Sequence, residues 1–360
     1  MKLQIYKSYI LKSYLFYFLI VSFIFFILSF LLNILEEIVF LEKYNVSIYY
    51  PILLTFLNTP SIVFEIFPFI FLISSQLFFI NFRENEELNL LKLKGIDNFS
   101  LIRFLIYLTL IMGLIVTIVF YTFSANLKHS YLSIKNKFTN DNKYLAAINN
   151  NGLWIKDEYD GNIYVINADE FVKNTLKNVT INQLDSKFNL KSIIVSEKAN
   201  IEKQEWDLEK VRINYANGKK ENLEKLKVTT NFNREKLNSI FSNLNSLNLL
   251  QLLNLSEDYK KLGLSSTEIR SHIYKLYSFP ILMCIMAAIG SILVLTFSNK
   301  RSKFFNLSLG ILASVVIYYI NYFFNLLGTT EKTSILLSVS SPLIILILFC
   351  FIFLVRINEQ

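Results

Sequence analysis

Arg83-Glu84-Asn85-Glu86-Glu87-Leu88-Asn89-Leu90-Leu91-Lys92-Leu93-Lys94-Gly95 is a short polar stretch between two long apolar runs, Ile52 to Phe82 and Phe104 to Leu127. Its residues predict a small helix over about 84–95. Asn85 is placed to cap the first turn by accepting a hydrogen bond from an orphan backbone N–H. Glu86 and Glu87 fall at the positive end of the helix dipole, and Lys92 and Lys94 at the negative end. Gly95 suits the left-handed residue that ends such a helix. Leu88, Leu91 and Leu90 make one apolar face, too small to form a core. A helix of this size needs an outside surface to pack against, and a partner protein would supply it.

The flanking runs decide the class. Hydrophobic residues make up 53% of the chain, with 33 Phe, and they gather in long charge-free stretches rather than spreading as in a soluble core. Tyr14 to Leu35 carries no charge. It is longer than a signal's apolar region and lacks a small-residue cleavage site, which favours a retained first span. Ile52 to Phe82 exceeds one ordinary span and contains Pro60 and Pro68. The expectation is an interfacial entry segment to Pro60, then a span over Phe64 to Phe82. Phe104 to Leu127, Leu276 to Ser298, Phe304 to Leu327 and Ile335 to Val355 complete six spans. The division is 1–127 with three spans, 128–275 as an inserted domain, and 276–360 with three more.

The inserted region differs in kind. Both tryptophans, Trp154 and Trp206, fall in it, with most of the charge. Alternating stretches recur at Leu153 to Lys156, Asn162 to Asn167, Lys191 to Glu197, Asp207 to Tyr215 and Lys225 to Thr230. Asp160-Gly161 and Asn217-Gly218 supply turns, so antiparallel β-structure is expected. From Arg234 to Gly263 the period becomes helical, through Leu237, Ile240, Leu244, Leu247, Leu250 and Leu253.

Charge sets the orientation. Lys2, Lys7, Lys12, Arg83, Lys92, Lys94, Arg103, Lys300, Arg301, Lys303 and Arg356 fall on one side, against Lys43 and Lys332 in the short loops opposite. By the positive-inside rule both termini and the loop helix are cytoplasmic, and the β-rich domain is outside. The net charge of +8 is therefore membrane topology rather than a nucleic-acid footprint.

Little supports catalysis. There is no phosphate-cradling Gly-Lys-Ser/Thr loop. His129 and His272 have no companions at metal-ligand spacing, Cys284 and Cys350 lie in apolar runs, and no cofactor or metal is expected. Glu65 is the one ionisable residue of its run: either a functional intramembrane carboxylate, or an interfacial one that reaches water. Phe16, Phe23, Phe26 and Phe30 are lipid-facing or packing residues, or else the lining of an acyl-chain cavity.

Four stretches carry a resemblance that covers nearly the whole chain. They are Pro60 to Pro68, Glu87-Leu88 through Gly95, Asn151-Gly152-Leu153-Trp154-Ile155-Lys156-Asp157, and Ser278-Phe279-Pro280 with Pro342. In order, spacing and topology the chain resembles the LptF/LptG family of lipopolysaccharide-export permeases, and LptG more than LptF. The resemblance implies an α-helical membrane protein with six transmembrane helices and an inserted all-β, jellyroll-like periplasmic domain. It implies an inner-membrane permease that extracts lipopolysaccharide while a separate LptB-like cytoplasmic ATPase dimer hydrolyses ATP. The implied partners are an LptF-like sister permease and an LptC-like periplasmic bridge, with no nucleic acid. Glu86, Glu87, Leu88, Leu91 and Gly95 would form the ATPase-coupling helix. Phe26, Phe30, Asn33, Lys43 and Phe67 would line the substrate cavity. Some members carry bases at the outer end of the first span, whereas this chain has Asn33, Glu36 and Glu37. The competing class is a membrane-anchored sensor or assembly scaffold with a periplasmic binding domain, and a sister permease encoded next door would favour the exporter. An ion-driven secondary transporter is disfavoured by the scarcity of intramembrane charge.

Overall fold

In hydrocarbon every backbone amide must find its partner inside its own segment, so long apolar runs fold as helices. The computed structural model describes residues 2–44, 46–138, 153–159, 162–172, 175–185, 189–203, 205–230, 243–261, 266–296 and 302–358. Outside these fall the Asp160-Gly161 turn, Asn151-Gly152, the first part of the helical period (234–242), Gly263, and Lys300 and Arg301. The chain divides into two compact units, residues 1–128 with 267–360, and residues 129–266.

The first unit is helical. Its elements are α1 (Lys2–Leu41), α2 (Tyr49–Glu84), α3 (Glu87–Leu93) and α4 (Asn98–Ile115), which passes through a π-turn (Val116–Phe120) into α5 (Tyr121–Phe138). Beyond the second unit come α7 (Thr267–Thr296), α8 (Lys303–Thr329) and α9 (Ile335–Asn358). Among the described residues, six helical stretches are long and apolar enough to cross a bilayer: Tyr6–Tyr44, Tyr49–Glu84, Asn98–Lys135, Thr267–Thr296, Lys303–Thr329 and Ile335–Ile357. Of these, α2 and α7 are the most buried and form the centre of the unit.

One expectation is corrected by α2. The break expected at Pro60 does not occur, and the helix runs unbroken from Tyr49 through Pro60 and Pro68. Proline is tolerated inside a membrane helix where neighbouring helices and hydroxyls compensate the backbone. The carbonyls left without a helical N–H are those of Phe56 and Phe64, and both prolines are buried inside the unit. Close approach of α7 to α2 depends on Gly290, where a Cβ would collide with the Leu72 carbonyl and the Ser75 hydroxyl.

The described strands of the second unit form an antiparallel sheet. Its strands are β1 (Leu153–Tyr159), β2 (Asn162–Ala168), β3 (Glu170–Val172), β4 (Thr175–Leu184), β5 (Leu190–Asn200), β6 (Glu205–Tyr215) and β7 (Lys220–Thr229). The sheet order is β1-β2-β4-β5-β6-β7, with β3 paired to β4 alone. The β6–β7 hairpin turns at Gly218, whose φ of +85° glycine adopts without strain. Trp206 is fully buried on β6, while the side chain of Trp154 is outside the described residues. Helix α6 (Leu249–Lys261) follows the sheet.

Burial changes parity along one row of the sheet. Inward residues run Leu176 then Val179 on β4, Ser196 then Ala199 on β5, and Leu208 then Val211 on β6, three apart instead of two. Asn178 and Lys210 stand at this change of parity with φ of +51° each, while the pairing register continues unshifted on both sides of it.

Candidate functional site

The turn between α2 and α3 is two residues long, and this sets the geometry of the loop helix. Asn85 closes α2, its N–H bonded to the Asn81 carbonyl at 3.0 Å. It therefore does not cap α3, as the sequence suggested: its φ of −83° and ψ of 8° continue the end of α2, not the extended backbone of an N-cap. Glu86 takes the left-handed conformation at φ 59° and precedes α3 without a side-chain cap bond. The far end matches expectation. Gly95 is left-handed at φ +80°, its N–H bonds to Lys92, and the Ile96 N–H reaches the Leu91 carbonyl at 3.0 Å. That is the bond pattern of a Schellman stop.

The two leucine pairs of α3 face opposite ways. Leu88 is 6% exposed and Leu91 half-buried, both in a cluster with Ile10, Tyr14, Phe78, Phe82 and Leu105 from α1, α2 and α4. Leu90 is 56% exposed and Leu93 85%. Of the expected apolar anchor, Leu88 and Leu91 pack against their own chain, and Leu90 and Leu93 are the apolar residues turned outward. Helical spacing identifies both pairs equally well, so the sequence alone could not choose between them.

Charged residues tie the same end together. Tyr9 donates its hydroxyl hydrogen to Glu87 Oε1 at 2.9 Å. Glu87 Oε2 is buried and has no hydrogen-bond partner among the described residues. Lys303 at the start of α8 pairs with Glu84 at 2.6 Å, and Arg83 donates to the Val294 carbonyl at 3.3 Å. Asp97 caps α4 by accepting the Ser100 N–H at 3.2 Å. Hydrogen bonding from Ser100, by its side chain first and its N–H second, holds the Asp97 carboxyl below the ordinary aspartate range.

The five expected cavity residues do not share one wall. Phe67 is 5% exposed, packed by Phe18, Phe64, Phe71 and Phe120, so it belongs to the interior of this chain. Asn33 is likewise inside. It accepts a hydrogen bond from Asn58 Nδ2 at 3.0 Å, and its own Nδ2 points to the Thr55 carbonyl. Both placements have one cause: α1 packs along α2, and an amide or aromatic on that seam is satisfied within the chain. Phe26 and Phe30 are half-buried, Phe16 and Phe23 are exposed, and Lys43 is exposed in a 3-10 turn (Glu42–Tyr44) beyond α1. Lys128 Nζ also donates to Asn58 Oδ1, and Glu37 is buried. An Asn at position 58 inside an apolar helix was the available signal for this polar seam.

A model of the lipopolysaccharide export system permease LptF/LptG matches residues 8–356. No curated protein matches the chain. Six apolar helices, an antiparallel sheet inserted between the third and fourth, and a match over nearly the entire length agree: the chain belongs to the LptF/LptG family of lipopolysaccharide export permeases.

Proposed function

We propose that this chain is the non-catalytic permease subunit of an ATP-driven complex that extracts lipopolysaccharide from the inner membrane. The observation that carries this reading is the mounting of α3. The helix is fastened to three spans through Leu88, Leu91 and the Tyr9–Glu87 bond, yet its outer side presents Leu90 and Leu93. A rigidly held helix with an uncovered apolar pair suits a groove in a partner protein. The partner is an LptB-like ATPase dimer in the cytoplasm. Leu90 and Leu93 enter its groove, Glu86 and Glu87 meet its basic residues, and Gly95 sets the angle at which the chain returns to the membrane.

Both termini lie in the cytoplasm with α3, in keeping with Lys7, Lys12, Arg83, Arg103, Lys303 and Arg356. The β unit is then periplasmic and passes substrate to an LptC-like bridge. An LptF-like sister permease completes the cavity, to which this chain contributes Phe26 and Phe30, with Lys43 at its rim. Purification of the tagged chain from its native membrane tests the assignment. The expected co-eluting set is an ATPase, a second permease and bound lipopolysaccharide. A chain that elutes without ATPase or permease, at normal membrane abundance, would refute it.

A further inference from the structure

Two cations and two aromatic rings meet where α4 enters its apolar run and α1 passes beside it. Lys7 Nζ lies 5.9 Å from the centre of the Phe104 ring, and Arg103 Cζ 5.8 Å from that of Phe99. Both cations are exposed. One cluster fixes the two helix ends beneath them, with Ile10 and Tyr14 of α1 among Leu101, Ile102 and Leu105 of α4. Lys7 therefore stands beside the residue that follows Arg103. Tyr9, which binds Glu87, points about 200° round α1 from Lys7, so that carboxylate serves the other side of the helix.

Charge, level and surface together select a ligand. Asp97 is an acid near this pair: hydrogen bonding from Ser100 is the main cause of its lowered carboxyl, and the Arg103 charge adds to it. Two cations against that one carboxylate leave a net positive charge. A ring face attracts the cation at these separations and leaves its N–H donors available to oxygen acceptors. Phe104 opens the charge-free run Phe104 to Leu127, so the pair stands at the edge of the hydrocarbon. Below Arg103, Tyr107, Ile111, Leu114 and Ile118 are all exposed and recur at three- and four-residue steps. They form one largely apolar stripe that reaches about 22 Å from Arg103 along the span.

We propose that Lys7 and Arg103 bind the phosphodiester of an anionic phospholipid, with one of its acyl chains along the exposed stripe of α4. A head of net negative charge suits the surplus positive charge, whereas a zwitterion brings an ammonium into it. The site requires only that α1 and α4 lie in a bilayer. It rests neither on the ATPase nor on the export route.

The test is photo-crosslinking of the full-length chain, purified with whatever partners accompany it. The probe is phosphatidylglycerol carrying a diazirine in one acyl chain, with a matched phosphatidylethanolamine probe as comparison. Labelling of the α4 peptide around Ile111 should favour the glycerol probe by about tenfold, the order expected from basic side chains at a lipid head. Lys7→Gln combined with Arg103→Gln should remove that preference, while Arg103→Lys, which keeps the charge, should retain most of it. Lys332→Gln, in the loop between α8 and α9, should change nothing. Both cations are exposed, so these chains should match the unaltered one in abundance and unfolding midpoint. Unlabelled phosphatidylglycerol should compete, and inorganic phosphate and lipopolysaccharide should not. Equal labelling by the two probes, a preference indifferent to the double substitution, competition by inorganic phosphate, displacement by lipopolysaccharide, or an α4 surface labelled by neither probe would overturn the proposal.

Discussion

The hydroxyl of Tyr9 donates to Glu87 Oε1 at 2.9 Å, joining the first span to the loop helix across 78 residues of sequence. Glu87 is thereby held in place while its second oxygen stays uncommitted among the described residues. Tyr9→Phe keeps the ring against Phe82 and removes only this bond. The expected result is normal membrane abundance with coupled ATPase activity lowered about two- to tenfold, the range of one ordinary hydrogen bond. Unchanged coupling would make the contact incidental.

Packing of α7 against α2 leaves no room at Gly290. Gly290→Ala must displace the backbone at Leu72, a destabilisation of about 1–3 kcal/mol by the usual cost of overpacking. A thermal unfolding assay in detergent should show a lower midpoint for this variant. Gly95→Ala differs in kind, since a Cβ there meets nothing within 4 Å and the cost comes only from its φ of +80°.

In the β unit, Lys210 combines a left-handed backbone with an ion pair to Glu197 at 2.6 Å. Lys210→Val should destabilise the sheet by about 1–2 kcal/mol, since a β-branched residue resists that φ, and Lys210→Gly should relieve the strain. The ion pair itself is solvent-exposed and contributes little. Lys210 holds the Glu197 carboxyl below its ordinary value, and Glu197 raises Lys210. The small contribution is therefore present across neutral pH. It is lost as pH falls below the ordinary glutamate range through the depressed Glu197 value, or rises beyond the ordinary lysine range through the raised Lys210 value. Unfolding midpoints from pH 3 to 8 should show a shallow loss only at the acid end, and Glu197→Gln should flatten it.

Orientation can be measured separately. A cysteine replacing Asn217, in the β6–β7 hairpin, should react with a membrane-impermeant thiol reagent in intact spheroplasts. One at position 299, between α7 and α8, should react only after permeabilisation. The reverse pattern would invert the topology and with it the assignment of α3 to the cytoplasm.

What the sequence disclosed, and what it hid, follows from period and partner. The spans were legible because a charge-free run has one stable form in hydrocarbon. The prolines of α2 misled, since rules for water-soluble helices overstate their breaking power where the prolines are buried among packed helices. Strands β5 and β6 alternate clearly over most of their length. By contrast β4 was missed: Leu176, Val179 and Ile181 change parity at Asn178, so no regular alternation survives in Thr175–Leu184. At the loop helix, the existence of an amphipathic turn and its stop at Gly95 were legible. Which leucines face inward was not, because that depends on Ile10, Phe78 and Leu105, distant in sequence.

The most direct measurement of the central claim uses those leucines against each other. Leu88→Asp buries a charge in the chain's own core, so the permease itself should become unstable and scarce in the membrane. Leu93→Asp places the charge on an exposed position and should leave folding and abundance intact. If α3 seats in the ATPase through its outer face, the Leu93→Asp chain should lose co-purifying ATPase by about a hundredfold or more in affinity, together with lipopolysaccharide release. Full retention of ATPase by a stable Leu93→Asp,Leu90→Asp chain would contradict the account.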